Sequence, residues 1–371
     1  MTPPGEAVAA PATGGRLAII DGLRGVAAML VVLFHLSEVA NLRDLPVVGW
    51  LLAHGNFGVE VFFVISGFVI TYSVRNATHT LPFLGRFALR RSIRLDPPYW
   101  ATIAAEITLL YISLQLFPAH DVHMPTPAEV AAHLVYLQGL LGLPQILPIF
   151  WTLCYEVQFY LVLVATLVAV RSLVRAVPAI DAVLLLKVIA AASFVASIAI
   201  DAGVLPYPMS GLFVDRWYQF SLGIATLAVV SGWMPLRVLL AAWAVVAAFL
   251  VFGPASTYTV QSASSCVLTS ALIVLAQHVP AITRVAASGV LQYLGRISYS
   301  LYLLHVVIGW RLVSVVLHML PEEPGVPVRI GLFLLGIAAS VIAAHLLYML
   351  IERPSLKLAA RISAAGRGSP R

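Results

Sequence analysis

Residues 22–40 read GLRGVAAMLVVLFHLSEVA, a run in which only Arg24, His35 and Glu38 carry ionisable side chains. A helix of about 20 apolar residues crosses the hydrocarbon layer of a bilayer, and this stretch has that length. It predicts a transmembrane helix, and the rest of the chain repeats the pattern. Further spans are expected near 57–74, 99–117, 149–170, 182–200, 217–230, 236–252, 258–276, 297–317 and 328–351. The fold class is therefore an all-α integral membrane protein of about ten transmembrane helices.

Composition agrees. Of 371 residues, 61% are hydrophobic and 10% charged, where soluble domains carry roughly 25% charged residues. That excludes a water-soluble globule. The net charge of +6 would suit nucleic acid in a soluble protein, but here the placement of the charges gives them another meaning. Lys and Arg gather in cytoplasmic loops of membrane proteins. With the spans above, Arg16 and Arg24, the arginines from Arg75 to Arg94, those from Arg171 to Lys187, Arg237, Arg284, Arg296 and everything basic from Arg353 onward share one side. Only Arg43, Arg216 and Arg329 fall on the other, and Arg311 lies within a span. Both termini are expected in the cytoplasm, and no nucleic-acid partner is expected.

Three regions follow. Residues 1–15, rich in Pro, Ala and Gly, read as a disordered tail without the basic start and apolar core of a cleavable signal peptide. Residues 16–356 form the transmembrane domain, and 357–371 a basic cytoplasmic tail. Cys154 and Cys266 both lie in apolar runs and read as free thiols. The outer connection 118–148 holds no Lys or Arg and is expected to contain a short helix near 128–141.

Several polar residues sit where burial in lipid is costly, which makes them functional candidates by default. Arg24 and His35 are eleven residues apart, a little over three turns, so they share a helix face about 16 Å apart along the axis. Arg24 then lies at the cytoplasmic rim and His35 near the midplane, either as a packing hydrogen bond or as a chemical group. Glu38 is read as facing the outer interface. Glu60, near the outer end of the second span, reads as a cavity ligand, and Ser66 as a small residue at a helix contact. Arg86, Arg90 and Arg94 follow at i, i+4 and i+8 with Arg91 beside them. Such guanidiniums suit a phosphate-bearing ligand or anionic lipid heads. Pro97 and Pro98 are expected to end that helix.

In the fourth span Glu156 is a proton acceptor, an acceptor-sugar ligand or an arginine's partner, with Tyr160 one turn further and Trp151 at the interface as a membrane anchor or sugar platform. His305 in the ninth span is placed near the depth of His35. Arg311 calls for a carboxylate partner or a wet cavity, and Glu352 is expected to pair with an inner arginine. His120 and His123 lack a third ligand, so no metal is expected, and no phosphate-binding loop is present.

Taken in order, IDGLRGVAAMLVVLFH (20–35), FGVEVFFVISGF (57–68), RFALRRSIRLDPPYW (86–100), WTLCYEVQFYL (151–161) and GRISYSLYLLH (295–305) resemble the signature segments of the membrane-bound acyltransferase 3 family. The resemblance covers nearly the whole chain, from about Ile20 to Pro354. It implies O-acylation, commonly acetylation, of sugars, surface glycans or related small molecules in the inner membrane, with a cytoplasmic acyl-CoA as donor. It matches the family's Arg and His separated by ten residues to Arg24 and His35, its basic inner loop to Arg86, Arg90, Arg91 and Arg94, and its Trp and Glu to Trp151 and Glu156. Some members carry an added hydrolase-like domain, which is not expected here. On this reading His35 removes the acceptor's proton or carries the acyl group, a task suited to a side chain titrating near neutrality. Arg24, Glu156 and His305 complete the catalytic group, while Glu60, Trp151 and Tyr160 meet the acceptor. The competing readings are a proton-coupled solute transporter, which the lack of an internal repeat disfavours, and a non-catalytic scaffold.

Overall fold

Helices cover the ten stretches expected as spans, seven of the helical stretches being long and apolar enough to cross a membrane, and their packing rests on small residues that let backbones touch. The computed structural model describes residues 13–116, 123–320 and 324–365, and all regular structure among them is helical. The expected tail at 1–15 lies almost wholly outside these residues, as do His120 and the end of the basic tail.

In chain order the helices are α1 (Thr13–Val39), α2 (Pro46–Ala53), α3 (Gly58–Val74), α4 (Leu81–Leu116), α5 (Pro127–Leu134), α6 (Trp151–Ala176), α7 (Ala182–Asp201), α8 (Trp217–Val230), α9 (Leu236–Phe252), α10 (Thr257–Leu275), α11 (Pro280–Ala286), α12 (Gly289–Leu304), α13 (Arg311–Met319), α14 (Val326–Leu347) and α15 (Arg353–Ala365). Seven helical stretches among the described residues are long and apolar enough to cross a membrane, and α8 and α9 are shorter apolar helices.

Two close helix pairs organise the bundle: α1 lies against α12, and α3 against α8. In the first, a Cβ on Gly295 would stand 2.0 Å from the Asp21 carbonyl oxygen. In the second, a Cβ on Gly67 would stand 1.9 Å from the Phe220 carbonyl oxygen, and one on Gly223 equally close to that of Val64. Lipid supplies no hydrophobic drive between helices, so close backbone packing of this kind is what holds them together.

Three expectations are corrected. Pro97 and Pro98 do not end a helix; they lie inside α4, which runs unbroken for 36 residues, about 54 Å at 1.5 Å per residue against a hydrocarbon layer of about 30 Å. The arginine cluster therefore rides on a rigid helix that is continuous with the third span, instead of on a loop. Proline removes backbone donors, and hydroxyls serve the carbonyls around the pair: Tyr299 donates to Leu95 O at 2.8 Å and Thr102 to Pro98 O at 2.9 Å.

The outer helix is also shorter than expected. It starts at a capping box in which the Thr126 hydroxyl accepts from the Glu129 N–H and the Glu129 carboxylate from the Thr126 N–H. It ends at Leu134 because Tyr136 takes a left-handed φ of 61°. Finally, two spans contain π-turns, at His305–Trp310 and Tyr348–Glu352. Beyond the second, α15 extends the last span as far as Ala365, so much of the expected basic tail is helical.

Candidate active site

Six elements, α1, α3, α4, α6, α12 and the π-turn after α14, line a partly open cavity of about 90 Å³. Its charged lining consists of three guanidiniums and two carboxylates: Arg24 from α1, Arg91 and Arg94 from α4, Glu156 from α6 and Glu352 from the π-turn.

The arginine cluster is divided. Arg91 and Arg94 line the cavity, whereas Arg86 is exposed and Arg90 lies outside the lining. At 100° per residue the four side chains spread in the order Arg86, Arg90, Arg94, Arg91 around the helix, so a cavity centred between the last two leaves the first two progressively further off. Arg91 is held in place by cation–π contact, 5.0 Å from the Tyr160 ring and 5.6 Å from that of Phe87.

Glu156 sits deeper, where Ser66 of α3 donates a hydrogen bond to its Oε1. Glu352 accepts from Ser300 Oγ at 2.5 Å. Among the described residues it makes no direct ion pair with an arginine, but it shares the lining with Arg24 and Arg94. Ser298 Oγ, also in the lining, is fully buried without a hydrogen-bond partner. Cationic groups at one end and unsatisfied or hydroxyl-bearing polar groups further in suit an elongated ligand with an anionic head.

At the inner end of the cavity stand Phe62 and Tyr302, with ring centroids 5.9 Å apart. The Tyr302 hydroxyl is 2.8 Å from Thr152 Oγ1 and donates to Ile149 O at 3.1 Å. Beyond it, 5.8 Å from the Tyr302 ring, lies His305, and His305 in turn lies 5.2 Å from His35. The two expected midplane histidines are thus neighbours. His305 Nδ1 is 2.7 Å from the Tyr302 carbonyl, and since a carbonyl only accepts, Nδ1 carries the proton in the neutral ring. Nε2 is then a lone-pair acceptor, and it is buried without a partner.

The remaining candidates fall elsewhere. Glu60 is six residues before Ser66, about 120° around α3, and turns away from the cavity. It accepts from Ser262 Oγ at 2.9 Å and Tyr258 Oη at 3.3 Å, in a buried network with Arg216, which is itself paired with Asp201 at 3.3 Å and Asp215 at 3.2 Å. Trp151 packs edge-on against Phe63 and Tyr155 outside the lining. Arg311 finds its carboxylate in Glu106, and Glu38 is exposed and paired with Arg43 at 3.2 Å. No cluster of metal-ligating side chains occurs among the described residues. The sequence reading left Ser66, Ser298 and Tyr302 out of the site. A small-residue helix contact and a carboxylate bearer look alike in sequence, and only the approach of α6 distinguishes them.

Over residues 17–349 the chain matches the family described as the acyltransferase domain. It is similar to a putative membrane-bound transacylase, BcsY, of Komagataeibacter xylinus, with 30% identity covering 94% of this chain and 85% of that protein. It is also similar to the acyltransferase MdmB of Streptomyces mycarofaciens, with 26% identity covering 93% of each. No solved structure matches the chain significantly.

Proposed function

The chain belongs to the acyltransferase 3 family of membrane acyltransferases, and on that premise we propose that it moves an acetyl or other short acyl group from acyl-CoA to a hydroxyl of a sugar, surface glycan or related small molecule. The observation that carries this reading is the cavity running from Arg24, Arg91 and Arg94 to Tyr302, with the histidine pair just beyond. The arginine end takes the CoA phosphates, the pantetheine arm lies along the face joining Arg24 to His35, and Arg86 and Arg90 add charge at the approach. The arginine end and both termini face the cytoplasm, ten helices cross the inner membrane, and no metal takes part.

In the reaction the acceptor oxygen bonds to the thioester carbon while His35 takes its proton. The C–S bond then breaks, and the imidazolium returns the proton to the thiolate, giving an ester and free CoA. A base in this role contributes typically 10²–10⁴-fold. His305 positions His35, and Tyr302 and Phe62 move aside for the acyl group. Glu156, held by Ser66, and Tyr160 orient the reacting groups. Glu60 and Trp151, outside the lining, support the site through packing.

A second reading rests on the Ser66 to Glu156 hydrogen bond. There, Ser66 carries the acyl group transiently and Glu156 takes its proton. One experiment separates the two. Purified protein in lipid vesicles receives radiolabelled acetyl-CoA and a panel of glycans, with wild type, His35→Ala and Ser66→Ala compared for label transfer, CoA release and label on the protein. Loss with His35→Ala and persistence with Ser66→Ala supports the first mechanism. The reverse, with label trapped on Ser66 in wild type, supports the second. Transfer undiminished in both variants removes both.

A further inference from the structure

A second, partly open cavity of about 270 Å³ lies on the opposite face of α12 from the candidate active site. Its walls are α12, the end of α14 and the π-turn. The same two segments thus serve both cavities: Ser298, Tyr299 and Glu352 face one, while Tyr293, Arg296 and Arg353 face the other. The five-residue spacing of the π-turn at Tyr348–Glu352 belongs to the segment from which Glu352 and Arg353 reach different cavities.

The polar lining of this second cavity is cationic or neutral, with no carboxylate in it. Arg296 is exposed and makes no hydrogen bond or ion pair among the described residues. Arg353 is exposed, and among the described residues its only polar contact is the Met349 sulfur at 3.7 Å. Tyr293 Oη and His345 Nδ1 are linked at 3.1 Å, and Tyr348 completes a set of donors around the two free guanidiniums. Along the same segment, Ile342 and Leu346 of α14 and Leu350 of the π-turn follow at intervals of four residues and are 62%, 53% and 72% exposed. In a membrane-embedded helix that stripe faces acyl chains. The cationic recess and an exposed apolar track therefore share the same stretch of chain, His345 of the recess lying next to Leu346 of the track and Met349 next to Leu350.

We propose that this recess binds the headgroup phosphate of an anionic phospholipid, with Arg296 and Arg353 as its two cationic ligands and an acyl chain lying along Ile342, Leu346 and Leu350. Guanidiniums favour phosphate through paired N–H donors, and cations beside a membrane surface contribute measurably to anionic lipid binding. The apolar track is what selects a lipid over a soluble phosphate, which has no chain to bury there. The site stands apart from the acyl-transfer reading, because none of its donors touches the catalytic cavity.

The test uses the full chain purified from vesicles of phosphatidylcholine containing phosphatidylglycerol, with retained lipid measured by mass spectrometry. Arg296→Gln combined with Arg353→Gln is expected to weaken phosphatidylglycerol retention roughly thirty-fold, while the Arg296→Lys and Arg353→Lys pair keeps most of it. Arg237→Gln with Arg284→Gln, an equal change of charge at other helices, is expected to leave retention unchanged. Equal loss in both glutamine pairs would mean that surface charge alone attracts the lipid and would overturn the site. Displacement of phosphatidylglycerol by glycerol phosphate at equal concentration would overturn the lipid assignment, since the apolar track would then contribute nothing.

Discussion

His35 and His305 bring their rings to a centroid distance of 5.2 Å, inclined by 37°, although they come from the first and ninth expected spans. The contact follows from the close α1–α12 packing, and the Tyr302 carbonyl orients the second ring of the pair through Nδ1. One imidazole is fixed; the other is half-buried, with ring contacts to Phe34 and His305. That asymmetry is the ground on which the proposed mechanism gives the chemistry to His35 and the positioning to His305.

His35→Ala should lower kcat for transfer by about 10²–10⁴-fold, with the KM for acyl-CoA little changed. His305→Gln should lower kcat less and shift the pH profile of kcat, because it perturbs the neighbouring imidazole without removing it. Steady-state kinetics across pH would show this, and a His305 variant with wild-type kcat and profile would remove the positioning role.

The divided arginine cluster makes a graded prediction. Arg91→Ala and Arg94→Ala should each weaken acyl-CoA binding by roughly ten-fold or more, on the scale of about 1.5–3 kcal/mol for a hydrogen bond to a charged group. Arg86→Ala, exposed and outside the cavity, should change it by less than about three-fold, in keeping with the small worth of exposed charges. Titration calorimetry with a non-transferable CoA analogue would test the order, and equal losses at all three positions would contradict the geometry.

Glu60 should matter for stability more than for turnover. Glu60→Ala leaves Ser262 and Tyr258 without their acceptor and should cost about 1–3 kcal/mol, read as a lower thermal midpoint in detergent. Activity per folded molecule should hold. A variant that keeps its midpoint but loses turnover would return Glu60 to the acceptor site.

Gly67→Leu and Gly295→Leu should abolish the monodisperse folded protein, because their Cβ atoms would overlap opposing backbone that has no room to retreat. Gly85→Leu, where nothing lies within 4 Å of the added Cβ, is the control. Size-exclusion profiles of the three would decide.

The start of α5 should be pH-sensitive. The bond from the Thr126 N–H, with help from His123, holds the Glu129 carboxyl below its ordinary value of 4.5. A depressed carboxyl contributes stability above its unfolded value and loses it as pH falls through the folded one. Amide exchange in α5 should therefore quicken as pH drops below about 4.5 relative to the intrinsic rate, and Glu129→Gln should flatten that dependence.

How far the sequence reaches is clearest at Arg24 and Pro97. The all-helical class and the rough placement of its apolar helices, the face shared by Arg24 and His35, the need of Arg311 for a carboxylate and the kinship with membrane acyltransferases were all legible in the chain. Each of these depends on local hydropathy, on helical periodicity or on segments read in order. Helix continuity through Pro97 and Pro98 was not, because a proline pair reads locally as a helix stop, and only the packing around α4, including the bond from Tyr299 of α12 to Leu95 O, shows the helix running on. Nor was the bond from Ser66 to Glu156, ninety residues apart, or the turning of Glu60 toward α10 in place of the cavity. Sequence periodicity tells which residues share one helix's face, but which neighbour that face meets depends on how helices pack. In lipid that is decided by glycine-mediated contacts such as Gly67 with Phe220 and Gly295 with Asp21, since polar and apolar faces alone do not choose a partner when the solvent is as apolar as the helices.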